Sequence, residues 1–154
     1  MTIFIIDSPI YTAYYLDSRR LNKQILECQW MINMKEGKTK PSNHPAYLMY
    51  KNSIEWVKLY QKCLIKYRNY RKTNNIEFYN KALEYSNQAD KIKPDFLCQS
   101  LYDNFRRRLF TKNPDYYDIW KSYGKSVTNL YYVDGNWLKY KNGKKEIDKN
   151  FNIK

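Results

Sequence analysis

The sequence predicts a mainly α-helical protein: a compact, single-domain helical bundle with a short N-terminal extended arm and a C-terminal β-hairpin. Two observations predict this class. The 154 residues, of which 43% are apolar, are enough for one buried core and too few for two. Apolar positions in the first half of the chain recur at the three- and four-residue steps of an amphipathic helix. We therefore expect one domain over residues 1–143 and a polar, frayed tail over 144–154.

The N-terminal segment combines an extended run with a long helix. Residues 2–6 are apolar and rich in β-branched side chains, and the turn-prone residues 7–9 end the run, which favours a strand or an extended arm. A helix is expected from Ile10, with Gly37 as its C-terminal stop. Its apolar face is formed by residues at steps of four, three and four: Leu21, Ile25, Cys28 and Ile32.

Two further helices are expected in the middle of the chain. The second begins near Pro45 and runs to the basic residues 68–72, where Thr73-Asn74-Asn75 follow. Its buried stripe is predicted from four residues: Tyr50, Ile54, Val57 and Leu64. The third helix spans residues 76–91 and ends before Lys93-Pro94. Its buried stripe is predicted from three residues: Ile76, Tyr79 and Leu83.

The C-terminal part carries weaker helical signals and one strong turn signal. After Pro94 the pattern is less regular, up to a short helix that begins at residues 113–115 and ends at Tyr123, with Gly124 as its cap. Aromatic, strand-like arms then flank Asp134-Gly135, which predicts a β-hairpin.

The charge of the chain points to an anionic partner. Lys and Arg number 28 and Asp and Glu 15, so the formal net charge is +13. Such a surface suits nucleic acid, anionic lipid or a phosphorylated small molecule. Tyrosines alternate with basic residues in Tyr67-Arg68-Asn69-Tyr70-Arg71-Lys72. Because aromatic rings stack on bases while cations neutralise phosphates, this pattern favours nucleic acid or a nucleotide.

Several function classes lack their sequence signals. No apolar run approaches the roughly 18 residues of a membrane span, and residues 1–7 do not resemble a signal peptide. The chain has three widely spaced cysteines and one histidine, which argues against a metal site and a disulfide framework. Phosphate-loop, dinucleotide-binding, zinc-protease and nucleophile-elbow motifs are absent. We expect a monomeric protein without membrane, metal or cofactor, in a reducing cytoplasm.

Two residues, Thr2 and Glu27, are candidates for catalysis, and each also has a simpler interpretation. Removal of Met1, which is usual before a small residue, would leave an α-amine on Thr2. An α-amine titrates near about 7.7–8.0, so part of it is neutral and able to form a Schiff base. Glu27 shares a helix face with Arg20 and Lys23, and the alternative is a solvated ion pair between Lys23 and Glu27. For His44, a capping role at a helix start is favoured.

Taken together, these motifs resemble those of a known family. They are listed here in chain order: Thr2, Tyr15-Leu16-Asp17, Glu27, Gly37-Lys38-Thr39-Lys40, Asn43-His44-Pro45 and Trp120-Lys121-Ser122-Tyr123-Gly124-Lys125. The set is similar to that of the pyrimidine-dimer DNA glycosylases of phages and bacteria. The resemblance runs from Thr2 to about Lys125 and is closest over the first 60 residues.

The resemblance implies a function and a set of site residues. The family is a small, mostly helical domain that binds damaged duplex DNA, excises a pyrimidine dimer and nicks the abasic site without metal or cofactor. By motif, Thr2 would be the nucleophile and Glu27 the acid/base and charge stabiliser. Ten residues would contact nucleic acid, the first three by proximity alone: Arg19, Arg20, Lys23, Lys38, Lys40, His44, Trp120, Lys121, Tyr123 and Lys125.

Two departures keep alternatives open. Family members usually carry Arg before the catalytic Glu, where this chain has Leu26, and a second alignment puts Asn22 in the place of that Glu. The alternative function is a non-catalytic nucleic-acid or nucleotide-binding protein on the same scaffold. In a virus-infected host cell, such a protein would sequester a nucleotide signal.

Overall fold

The structure, a computed structural model, describes residues 1–141 and 144–147. Its contacts divide the chain into two compact units, the first Met1–Pro94 and the second beginning at Asp95. The single domain expected over residues 1–143 stays a prediction.

Five helices follow the N-terminal arm in the first unit. They are α1 Pro9–Tyr15, α2 Ser18–Lys35, α3 Pro45–Tyr50, α4 Ile54–Thr73 and α5 Ile76–Lys91. The first two helices expected from the sequence are therefore each broken in two. Leu16 leaves helical geometry at ψ 131° and is fully buried, so the chain turns there while its side chain stays in the core. The second break, at residues 51–53, separates α3 from α4.

The N-terminal arm belongs to no helix or strand and is buried. Residues 3–6 are at most 7% exposed, and the backbone N–H of Ile6 donates to Oγ1 of Thr12 in α1 at 3.1 Å. The apolar face expected on α2 is confirmed, because all four of its residues are buried. Gly37 follows α2 at φ +75°, a left-handed conformation that favours glycine and confirms the expected stop.

Helix α5 has the expected bounds but a different buried face. Ile76 is 57% exposed and Leu83 is 37% exposed, so the apolar stripe assigned to them is wrong. The buried residues are small: Ala82, Ser86 and Ala89. Short side chains at steps of four and three let α5 lie close to its neighbours, α4 and α1.

The second unit begins with a helix that the sequence did not predict. Helix α6 spans Gln99–Lys112, in the region expected to be less regular. Three consecutive arginines mask its amphipathic pattern, yet Arg106 and Arg108 are only 6% and 9% exposed. Arg106 pairs with Asp103 at 2.9 Å, one helical turn earlier. A 3-10 helix follows at Asp118–Tyr123, close to the short helix expected there.

A small antiparallel sheet ends the described chain. Its strands, in the order β1-β2-β3, are Asn129–Val133, Asn136–Lys141 and Lys144–Ile147. Asp134 and Gly135, both at positive φ, join β1 to β2, which confirms the predicted hairpin. Strand β3 takes up the start of the tail predicted to fray, and residues 148–154 lie outside the described residues.

The three cysteines are free thiols, and all of them are buried: Cys28, Cys63 and Cys98. Burial in apolar surroundings raises the pKa of both Cys28 and Cys63 well above that of an exposed thiol.

Candidate functional site

The N-terminal arm and α2 bring Thr2 and Glu27 into contact. The backbone nitrogen of Thr2 donates a hydrogen bond to Oε2 of Glu27 at 3.1 Å, across 25 positions of sequence. Both residues are half-buried. Glu27 has this position because it lies at the edge of the apolar face of α2, one residue before the buried Cys28. The first and second candidates for chemistry are therefore neighbours in space.

Gln24 ties the arm to the same carboxylate. Its Nε2 donates to the carbonyl of Thr2 at 2.7 Å and to Oε2 of Glu27 at 3.2 Å, while its Oε1 accepts from the backbone N–H of Phe4 at 2.8 Å. Gln24 is only 1% exposed. From α4, the hydroxyl of Tyr60 donates to the carbonyl of Phe4. Side chains of two helices thus hold the arm, and with it the nitrogen of Thr2, in one place.

The carboxylate of Glu27 is in a mixed electrostatic environment. Burial raises its pKa above 4.5, and this is the largest effect. The hydrogen bond from Thr2, the charge of the N-terminal amine and the charge of Lys23 each lower the pKa and offset part of the rise. Nζ of Lys23 lies 3.9 Å from Oε1 of Glu27, with the lysine side chain 68% exposed. A carboxylate with a raised pKa beside a nitrogen is suited to holding and moving a proton.

His44 starts helix α3, as the capping interpretation predicted. Its Nδ1 accepts a hydrogen bond from the backbone N–H of Ala46 at 3.1 Å, which confirms the cap. Burial lowers the pKa of the imidazole, and the positive charge of the N-terminal amine lowers it further. The ring also meets Trp30 of α2 edge-on, with 6.4 Å between the ring centroids.

Further basic side chains lie on α2 and in the loop after it. Arg19 is exposed, while Arg20 is bound to Asp17 at 3.2 Å at the start of the helix. Lys38 and Lys40 follow Gly37 and are both exposed, and Nζ of Lys38 lies 3.0 Å from a carboxylate oxygen of Glu36. Their roles in binding stay predictions.

The two departures from the family pattern have clear positions in the structure. Leu26 is 70% exposed on α2, so no core contact requires an apolar residue there. Asn22 is also exposed, and its Oδ1 accepts a hydrogen bond from Nη1 of Arg68 at 3.2 Å. Asn22 thus bonds to α4, whereas Glu27 bonds to the arm.

Comparison with known families assigns the chain. The family model for pyrimidine dimer DNA glycosylase matches residues 1–80, more than half of the 154 residues, and the matched segment contains both Thr2 and Glu27. The chain belongs to the pyrimidine dimer DNA glycosylase family. No curated protein and no solved structure matches the sequence. Membership assigns the general function: a DNA repair glycosylase whose partner is damaged DNA.

The remaining candidates lie in the second unit, outside the segment that matches the glycosylase family: Trp120, Lys121, Tyr123 and Lys125. Trp120 is 3% exposed and stacks on Tyr117 at 5.3 Å between ring centroids, so its ring is not accessible to a base in this structure. Both lysines are exposed. The ring of Tyr123 is 38% exposed and has the guanidinium of Arg106 at 5.5 Å from its centroid. Nucleic-acid contact by these four residues stays a prediction.

Sequence reasoning missed the residues that position the arm. Gln24 follows Leu21 by three residues and precedes Ile25 and Cys28, so it interrupts the predicted apolar face with a polar side chain. A polar residue within a buried face needs hydrogen-bond partners, and this signal could have identified it. Tyr60 carried no comparable signal, because tyrosines are frequent throughout this chain.

Within the described residues, no group of three or more His, Cys, Asp and Glu side chains is arranged to hold a metal ion. A search of the same residues for a helix with the length and apolar character of a membrane span found none.

Proposed function

We propose that this glycosylase uses the α-amine of Thr2 as a nucleophile and also cleaves abasic sites. The observation that carries the proposal is the 3.1 Å hydrogen bond from the Thr2 nitrogen to Oε2 of Glu27. That nitrogen is an amide while Met1 precedes it. Removal of Met1 would leave an amine in contact with the carboxylate, with Gln24 still holding the arm.

The first step is attack of the neutral amine on C1′ of the damaged nucleotide. The C–N bond forms as the glycosidic bond breaks, and the pyrimidine leaves with the electron pair and takes up a proton. Positive charge develops at C1′ during this step, and the carboxylate of Glu27 stabilises it. The C1′–O4′ bond then breaks, and one proton of the nitrogen passes to O4′ as the sugar ring opens, leaving a protonated imine between Thr2 and C1′.

The second step breaks the strand. Glu27 accepts a proton from C2′, and the electrons expel the phosphate from C3′. Water then hydrolyses the imine and restores the amine. The raised pKa of Glu27 supports this role, because a more basic carboxylate accepts a proton from carbon more readily.

The contact of Thr2 with Glu27 also supports Glu27 over Asn22 as the acting residue. Asn22 bonds to Arg68 rather than to the arm, and an amide side chain cannot accept a proton as a carboxylate does. Arg19, Arg20 and Lys23 belong to α2 as well, and we propose them as phosphate contacts.

Borohydride trapping tests the proposal, because reduction of the imine leaves a covalent protein–DNA adduct. Two duplexes are compared, one with a single pyrimidine dimer and one with an abasic site, after mass spectrometry has identified the N-terminal residue. We expect an adduct on both duplexes with the chain that begins at Thr2. Glu27→Gln should abolish the adduct on the dimer duplex, since a neutral amide cannot stabilise the positive charge at C1′. On the abasic duplex it should leave the strand uncut, since the amide cannot take the C2′ proton. The matched control is Glu36→Gln, an equally conservative change at the C-terminal end of α2.

A form with one extra residue before Thr2 completes the test, because it removes the amine from the site. Adducts on the dimer duplex that persist in this form and in Glu27→Gln would contradict the proposal. A correctly processed chain that binds both duplexes without an adduct would favour the non-catalytic alternative.

A further inference from the structure

The first unit contains a cavity lined mainly by tyrosines, apart from the proposed reaction site. Its volume is about 260 Å³.

 The tyrosine-lined cavity is formed by six residues: Ser8, Ile10, Tyr11, Tyr14, Tyr67 and Tyr79.

The cavity lies where α1, α4 and α5 meet, and neither Thr2 nor Glu27 lines it. One of its lining residues, Tyr67, begins the motif of alternating tyrosines and cations at residues 67–72, which the proposed reaction does not use. The proposed reaction at Thr2 and Glu27 therefore does not account for this cavity.

The walls of the cavity are aromatic and fixed. Tyr67 is 5% exposed, and Tyr70 packs against both Tyr67 and Tyr79, with ring centroids 5.7 Å and 5.4 Å away. Tyr14 is 61% exposed and Tyr11 is 37% exposed, so these two rings present aromatic surface to solvent. Fixed and accessible rings around one small cavity suit a planar aromatic ligand, which stacks on them at little cost in entropy.

A cation is held beside the rings. The guanidinium of Arg71 lies 5.2 Å from the ring centroid of Tyr67, and its Nη2 donates to the carbonyls of Ala13 at 2.7 Å and Tyr14 at 2.9 Å. Arginine has five N–H donors and Nη2 carries two of them, so the three on Nε and Nη1 are more than the hydrogen bond to the Tyr67 side chain requires. Residues 66–72 include four basic side chains and no acidic one. The tyrosine rings and the nearby cations therefore favour a planar ligand that carries a negatively charged group.

We infer that this cavity binds the base of a phosphorylated nucleotide, with the base stacked on the tyrosines and the phosphate beside Arg71. The cavity volume is below the range of about 300–1,000 Å³ typical of drug-sized ligands, which fits one ring system with its phosphate outside. The same chemistry is present in a free nucleotide and in a single strand. The inference goes beyond the proposed function, because no step at Thr2 and Glu27 requires this site.

Calorimetric titration of the full-length protein with deoxyadenosine monophosphate tests the inference. Deoxyribose 5-phosphate, which lacks the base, should bind much more weakly. Tyr14→Ala should weaken nucleotide binding by about fivefold or more, the loss expected for one stacking ring. Tyr14 is exposed, so the variant is expected to fold, and Tyr11→Ala provides a second test. The matched control is Tyr116→Ala, a 51% exposed tyrosine in the second unit, which should bind like the native chain.

Competition with a short single-stranded oligodeoxyadenylate distinguishes a free nucleotide from a single strand as the source of the base. Tighter binding of the strand identifies single-stranded nucleic acid, and weaker binding identifies a free nucleotide; both outcomes support the site. Equal binding of the sugar phosphate, absence of nucleotide binding, or unchanged binding by both tyrosine variants would overturn the inference. Glu27→Gln should retain nucleotide binding, which separates this result from failure of the proposed reaction.

Discussion

At the scale of single residues, Glu27 combines two properties that ordinarily oppose each other. It is partly buried, which disfavours its charge, yet it accepts hydrogen bonds from Thr2 and Gln24 and lies near Lys23, all of which favour the charge. Burial is the largest effect, so the pKa stays raised. Any change to these neighbours should therefore move the pH range in which the carboxylate can act as a base.

Lys23→Met should shift the acid side of the pH–rate profile to higher pH. Glu27 acts when ionised, and the charge of Lys23 lowers its pKa, so removing that charge raises the pKa further. The ion pair is largely exposed on the lysine side, so we expect a shift of less than about one pH unit. Single-turnover trapping rates between pH 4 and about 8 measure it. Lys35→Met, at the last turn of α2, is the control, and an equal shift in that variant would contradict the prediction.

Leu26→Arg should strengthen binding to duplex DNA and make it more dependent on salt. Leu26 is exposed beside Glu27, so the replacement disturbs no core contact and adds a cation where the family usually has one. One additional phosphate contact should steepen the slope of log K against log salt by about 0.9. Fluorescence anisotropy over a salt series measures the slope. Ile119→Arg, at a 62% exposed site in the second unit, is the control; the same change of slope there would argue against a specific contact.

At the scale of elements, the N-terminal end of α3 depends on a neutral imidazole. Nδ1 of His44 can accept from Ala46 only while it is unprotonated. Folding lowers the pKa of His44 below its ordinary value of 6.5, so the folded state binds this proton less readily than the unfolded chain. The contribution to stability is therefore complete above about pH 6.5 and is lost as the pH falls below it.

His44→Asn should remove this pH dependence while keeping the cap. Asparagine caps helices well and does not titrate. The free energy of unfolding of the variant should therefore change less between about pH 7 and 5 than that of the native chain. Urea unfolding across this range measures the difference. Equal pH dependence in both proteins would contradict the role of His44. As the chain has one histidine, a single imidazole signal in the NMR spectrum reports its protonation.

Most helices and the buried face of α2 were predictable from periodicity, whereas the helix breaks, the buried face of α5 and helix α6 were not. The spacing of Leu21, Ile25 and Cys28 gave the buried face of α2 because large apolar residues occupied it. The breaks at residues 16–17 and 51–53 each carry a residue typical of a helix start, Asp17 and Ser53, but the helical spacing on either side of them hid this signal. In α5 the pattern of large residues was misleading, because Ala82 and Ala89 are buried where α5 lies close to its neighbours. In α6, buried arginines hid the helical pattern.

At the scale of the whole molecule, a net charge of +13 should make duplex binding strongly salt-dependent. If Lys38 and Lys40 both contact phosphates, the double change to alanine should reduce the salt slope by about 1.8, or 0.9 for each contact. Binding to an undamaged duplex over a salt series measures this. Lys81 and Lys91, both exposed on α5, provide a matched double variant of equal charge. Equal slopes for the two double variants would contradict specific phosphate contacts by the loop that carries Lys38 and Lys40.

The residues of the candidate site could be predicted from the sequence, but their arrangement in space could not. The family motifs pointed to Thr2 and Glu27, and only the fold shows that the arm brings them within 3.1 Å of each other. Gln24 and Tyr60, which hold the arm, act through contacts over 22 and 56 positions of sequence. Such contacts depend on how α2, α4 and the arm pack, and a single sequence carries no direct record of that packing.

The burial of Cys28 has a practical consequence for measuring local motion. The thiol is fully buried next to Glu27, and its raised pKa keeps it protonated. Alkylating reagents attack thiolates, so they can modify Cys28 only when α2 opens locally. The rate of alkylation thus reports how often α2 opens beside Glu27. Slower labelling in the presence of DNA would measure how far bound DNA reduces this opening.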